Sequence, residues 1–134
     1  MVGIVLVSHG PFADGLKGAA EMIVGQQECF QAVGMDPAAD LDQLRATIEA
    51  AVADVSGDGG ALVLVDVMGG SPANASAYLA VAGTPVVCGV NLPMLLELLT
   101  QRESLSGKQL VELALASGRD GILDFGRQLT GAQG

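Results

Sequence analysis

The sequence predicts an α/β fold built on a mostly parallel, doubly wound sheet with helices on both faces. Three observations predict it. Apolar runs at residues 2–7, 61–65 and 85–90, the first a continuous aliphatic one, suit strands buried on both sides. Around them lie segments whose apolar residues recur at helical spacing, so strands and helices alternate. At 134 residues, with 50% hydrophobic and 16% charged side chains, the chain suits one packed domain and is too apolar for a disordered acidic tail. Aromatics supply only 3%, so the core must be built from Val, Leu, Ile, Ala and Met.

The first strand, residues 2–7, ends in Ser8-His9-Gly10. Phe12, Leu16, Ala19, Ala20 and Ile23 then recur at helical spacing until Gly25 stops them. A short second strand follows at 30–33. Asp40 opens an amphipathic helix with Leu41, Leu44, Ile48, Val52 and Val55 on one face, and Asp40 with Gln43 resembles a capping pair. The Ser-Gly-Asp-Gly-Gly run at 56–60 is a turn before the strand at 61–65. After the loop from Asp66 to Gly70, Ser71 reads as an N-cap with Pro72 at the first helical position. That helix is rich in Ala and Ser, which permits close packing on a sheet. The strand at 85–90 leads through Asn91-Leu92-Pro93 into a Leu-rich helix reaching about Thr100. Ser106 with Gln109 caps a further helix to about Ser117, and 121–125 reads as a short antiparallel last strand. The layering is flavodoxin-like: one domain over 1–129, then a flexible tail over 130–134.

Six basic against fifteen acidic residues give a net charge of −9. A field of that sign repels phosphate backbones and anionic lipid, which argues against nucleic acid and membrane surfaces and favours partners with a basic face. The mean hydropathy of +0.48 makes a membrane span worth testing. No residue between Asp66 and Glu97 is charged, yet Gly69, Gly70, Pro72, Gly83, Pro85, Gly89 and Pro93 interrupt that stretch. No apolar run approaches the roughly 20 residues a spanning helix needs. The amino terminus lacks the basic region of a signal peptide. Cys29 and Cys88 lie far apart with no CxxC, and His9 is the single histidine, so a zinc site is excluded and a disulfide scaffold disfavoured. These features read as a cytoplasmic protein with no metal.

In such sheets ligands sit at the carboxyl ends of strands, near the switch in strand order. Three polar groups fall at strand ends: His9, Asp66 and Asn91. Alone, His9 is as readily a loop residue that caps a helix or fills space. If the first and third strands are neighbours, their ends lie about 5 Å apart. Asp66 could then bond one ring nitrogen of His9, fix the tautomer and leave the other nitrogen's lone pair free. Gly69-Gly70-Ser71-Pro72 offers amides at a helix N-terminus, where a phosphoryl group is attracted, although an ordinary capped loop would have the same residues. Together these point to phosphoryl transfer through phosphohistidine. No Ser or Cys stands in a nucleophile elbow, so acyl transfer is not suggested. Gly10 to Lys17 spaces like the start of a P-loop, but Leu16 stands where Lys is required. The glycines at 57–60 precede a strand rather than follow one, and an FMN site would lack aromatics, so no cofactor is expected. Cys88, Met22 and Met94 read as core or interface.

Residues 4–16 (IVLVSHGPFADGL), 64–76 (LVDVMGGSPANAS) and 89–99 (GVNLPMLLELL) resemble the IIA domain of mannose-family sugar phosphotransferase systems, in order and in spacing. The resemblance spans nearly the whole chain. It implies that His9 is phosphorylated, that Asp66 supports its ring, and that Gly10, Gly69, Gly70 and Ser71 lie against the phosphoryl group. Met68 stands where some relatives carry Trp, and with Asn91 and Pro93 it is assigned to the site edge and partner surface. The phosphocarrier HPr would supply the phosphoryl group, and a separate IIB protein would take it for sugar import, so contact with the membrane is only indirect. The resemblance also implies a homodimer that exchanges the last strand. Two other readings stay open: the phosphotransfer subunit of a dihydroxyacetone kinase, against which the GGSP and NLPM motifs speak, and a regulatory module that senses phosphorylation. A receiver domain lacks its acidic pair after the first strand.

Overall fold

In a computed structural model that describes residues 1–131, four strands and six helices follow one another along the chain. They are β1 (Gly3–His9), α1 (Phe12–Val24), β2 (Phe30–Met35), α2 (Leu41–Val55), β3 (Ala61–Val65), α3 (Ser71–Val81), β4 (Val86–Cys88), α4 (Leu92–Gln101), α5 (Gly107–Asp120) and α6 (Phe125–Thr130). The strands lie in the order β2-β1-β3-β4, and every pairing is parallel. The connection through α1 carries the chain from β1 to one side, and the connection through α2 returns it past β1 to β3. The order therefore reverses between β1 and β3, which sets a crevice at their carboxyl ends.

The period of two along each strand sorts the core into two layers. Register pairs Ile4 with Leu62 and Leu6 with Leu64, and these four face a layer closed by Leu16, Ala20, Leu95, Leu98 and Leu110 of α1, α4 and α5. Val5, Val7, Val63 and Val65 point the other way, onto Leu44, Ile48 and Val55 of α2 and Ala75 and Leu79 of α3. One charged side chain is built into this frame. Arg102, 2% exposed just after α4, donates to the carbonyls of Glu28 (2.6 Å) and Cys29 (3.0 Å) and to the Gln27 side-chain oxygen (3.2 Å). It fastens the loop before β2 to the end of α4. Among the described residues no helix is long and apolar enough to cross a membrane.

Several expectations are corrected. The strand expected at 121–125 is not formed within the chain. Gly121 closes α5, 122–124 pair with no strand, and the Asp124 side chain accepts from the Arg127 amide to start α6. Ile122, Leu123 and Phe125 have the apolar character of a strand, but a strand needs a neighbour, and none of the four lies against them. The sheet is thus wholly parallel. Ser71 is the first residue of α3 rather than its N-cap: Gly70 is the extended cap residue, and the Asn74 amide bonds its carbonyl. Asp40 caps α2 by accepting from Asp42, whereas the reciprocal box occurs at Ser106 and Gln109. Leu41 is exposed rather than core, and of the two readings of Met22, core or interface, its exposure removes the core. Of the expected tail, Thr130 ends α6, Gly131 caps it, and 132–134 lie outside the described residues.

Candidate functional site

The crevice between β1 and β3 holds His9 and Asp66. His9 is the last residue of β1, and Asp66 follows β3, its amide continuing the ladder to the Val7 carbonyl at 3.1 Å. Register alone therefore sets the two side by side. The Asp66 Oδ2 accepts from the His9 backbone amide at 3.0 Å and lies 2.8 Å from His9 Nδ1. Its other oxygen accepts from the Val67 amide at 2.9 Å. One carboxylate thus grips both the main chain and the ring of the histidine.

Burial works to raise the Asp66 carboxyl, but the His9 amide, the His9 ring and the Val67 amide outweigh it and hold the carboxyl below its ordinary value. An ionised carboxylate only accepts hydrogen bonds, so Nδ1 carries a proton, and in the neutral tautomer this selects, Nε2 keeps the lone pair. Asp66 is 14% exposed and His9 47%, so the anchor is sheltered while the ring reaches solvent.

Nε2 faces the amino end of α3. A Cβ on Gly70 would lie 2.9 Å from Nε2 and 2.7 Å from Cε1, so only glycine leaves room for the ring. Gly70 itself is extended, and its need for a missing side chain is steric. Gly69, at φ 95°, requires glycine for its backbone instead. Ser71 is exposed beside them, and Pro72 lacks an amide, which leaves the Ser71 and Ala73 amides pointing out of the first turn. Gly10 turns the chain away at φ 53° with its amide on the Met35 carbonyl at 2.8 Å.

His9, Asp66, Gly69, Gly70 and Ser71 are therefore brought together, with Gly10 next to them. Met68 projects from the same loop, 81% exposed, with Val67 and Phe12 also open to solvent. Asn91 and Pro93 are placed differently. The Asn91 side chain accepts from the Met94 amide at 3.0 Å and donates to the Gly118 carbonyl at 2.9 Å, capping α4 and tying it to α5. Pro93 sits against Gly121. Cys88 is half-buried at the end of β4, where burial and the Asp66 charge push its thiol up, away from nucleophilic use. Val67 was invisible as a site residue in the sequence, because its contribution is a main-chain amide.

A family model described as "PTS system fructose IIA component" matches residues 3–115. The chain is 37% identical over 124 residues to the mannose-specific EIIAB component of the phosphotransferase system (PTS) of Escherichia coli K12, covering 90% of this chain and 38% of that protein. It thus spans well under half the length of that relative. The fructose-specific EIIA component of Bacillus subtilis is 34% identical over 113 residues, 83% of this chain and 77% of its own. Among solved structures, an EIIA component from Streptococcus agalactiae superposes with a TM-score of 0.85 at 32% identity, over 94% of this chain and 98% of that one.

Proposed function

The chain belongs to the mannose-type EIIA family of the sugar phosphotransferase system, and from that membership we propose that it is a phosphohistidine carrier with His9 as its acceptor. Members of this family take part in phosphotransfer for sugar uptake. The observation that carries the finer reading is the Nδ1–Asp66 contact, which selects the neutral tautomer with its lone pair on Nε2, beside the bare α-carbon of Gly70. The Nε2 lone pair attacks the phosphorus carried by HPr. The bond from phosphorus to the donor breaks, and its electron pair returns to HPr. His9 then holds phosphorus on Nε2 and a proton on Nδ1, so its ring is cationic and Asp66 is the counter-charge. Gly69, Gly70 and Ser71 support the transferred oxygens with amides and the positive end of the α3 dipole. A IIB protein takes the group in the reverse sense. Alignment and charge are the whole of the catalysis.

The site's anionic side chain is the Asp66 carboxylate, and the chain is acidic overall, so docking partners bring basic rims to a face where Met68, Val67 and Phe12 supply apolar contact. We place this traffic in the cytoplasm and in a homodimer. The test is incubation with phosphoenolpyruvate, its PTS kinase and HPr. Wild type should take an acid-labile label, and His9→Ala should take none, since no other histidine exists. Label on His9→Ala would sink the assignment. Label that enters but never passes to a IIB protein would favour the phosphorylation sensor instead.

A further inference from the structure

The turn from β1 into α1 carries His9, yet the formal cap of α1, Pro11, makes no side-chain cap bond. That work falls to Ser8, three residues earlier and 1% exposed. Its Oγ accepts from the Ala13 amide at 2.7 Å and lies 3.2 Å from the His9 carbonyl and 3.3 Å from the Gly10 carbonyl, to which its proton is directed. A single buried hydroxyl thus touches two consecutive carbonyls at the entry of the turn and the first turn of the helix beyond it. On the opposite side the Gly10 carbonyl rests against Gly34 of β2, where a Cβ would come within 2.3 Å of the oxygen. The carbonyl after His9 is wedged between a hydroxyl and a bare α-carbon.

We propose that Ser8 is a positioning residue for His9: its hydroxyl locks the turn so that the ring meets Asp66 through Nδ1 and offers Nε2 to the amino end of α3. Asp66 grips the His9 amide from the β3 side, Gly34 bounds the turn from the β2 side, and Ser8 holds it from within. Without the hydroxyl, the His9 and Gly10 carbonyls and the Ala13 amide lose a shared buried partner. The turn then relaxes by rotating the peptide next to the histidine, which tilts the ring away from the Asp66 oxygen. This inference rests on the reading of His9 as phosphoryl acceptor only for its kinetic arm.

The experiment compares Ser8→Ala, Ser8→Thr and Ile48→Val, the last a core change on α2 that touches nothing in the turn. Because the chain has one histidine, the ¹⁵N resonances of its ring are unambiguous. Ser8→Ala should shift both ring nitrogens toward values averaged between tautomers, while Ile48→Val leaves them alone. With phosphorylated HPr as donor, Ser8→Ala should lower the maximal rate about tenfold with little change in KM, and Ser8→Thr should recover most of it. Wild-type ring resonances in folded Ser8→Ala, with a rate matching Ile48→Val, would overturn the proposal and leave Ser8 a cap. Should Ser8→Ala not fold, Gly34→Ala applies the same test by pushing the Gly10 carbonyl from the other side; unchanged ring nitrogens there refute it equally. If wild type accepts no phosphoryl group, the carrier assignment fails, and the ring spectra still decide the role of Ser8.

Discussion

At the scale of single residues, Asp66 is where orienting and merely capping roles diverge most. In Asp66→Asn the amide can still accept from the His9 main chain, but its NH₂ can also donate to Nδ1 and stabilise the tautomer protonated at Nε2. In a hydrolase triad the comparable swap costs about 10⁴ in rate. In the proposed carrier role the imidazole would itself be the nucleophile and pass on no proton, so the expected loss in transfer from HPr is about 10²-fold, or roughly 2.7 kcal/mol of barrier. A folded variant transferring at the wild-type rate would make Asp66 structural. The pH dependence has a fixed sign. The folded carboxyl lies below its ordinary 3.8 because the His9 and Val67 bonds outweigh burial. It therefore adds stability above that ordinary value and loses it as pH falls through the folded one. The stability difference between wild type and Asp66→Asn, followed through their thermal midpoints, should be widest near neutrality, at under about 1 kcal/mol, and close in acid. His9 and Asp66 were legible in the sequence because strand ends in a parallel sheet converge. Ser8 and Gly34 were not, since a hydroxyl inside a turn and a glycine under a carbonyl acquire meaning only once the turn is built.

At the scale of elements, caps and periodicity decided what could be read. The apolar faces of α2 and α5 and the buried runs of β1 and β3 repeat often enough to fix their type, and the Ser106 box marks its helix start unambiguously. Segment 121–125 did not yield to the same reasoning, because among the described residues no strand pairs with it and the Asp124 cap selects a helix just beyond. Asn91, read in the sequence as site edge, has both ends of its amide engaged by α4 and α5. Asn91→Ala should cost about 1–2 kcal/mol by losing the cap and stranding the Gly118 carbonyl, and leave the saturated transfer rate unchanged. Chemical denaturation set beside the phosphotransfer assay checks both halves; a stable variant with slow transfer would return Asn91 to the site.

At the scale of the whole molecule, one subunit leaves a conspicuous apolar tract uncovered. Ile122, Leu123, Phe125 and Leu129 are 62–78% exposed, and β4 is an open edge of only three residues. A second copy that lays its 121–125 segment along that edge would cover both, which is how an exchanged strand could form where the single chain shows none. Light scattering at micromolar concentration should give twice the chain mass of 13.5 kDa, and deletion of 121–131 should leave a monomer. A monomeric wild type would remove the exchanged-strand dimer. The tract was visible in the sequence only as apolar residues near the end, because exposure is a property of the folded chain and not of residue type. The position of β1 in the sheet has a different consequence. It is paired on both sides, and Ile4 to Val7 are at most 1% exposed. Its amides should be among the last to trade protons for deuterium, opening only when the molecule unfolds as a whole. His9 is the last residue of that strand, so fraying at the carboxyl-terminal helices leaves the main chain that carries its ring in place.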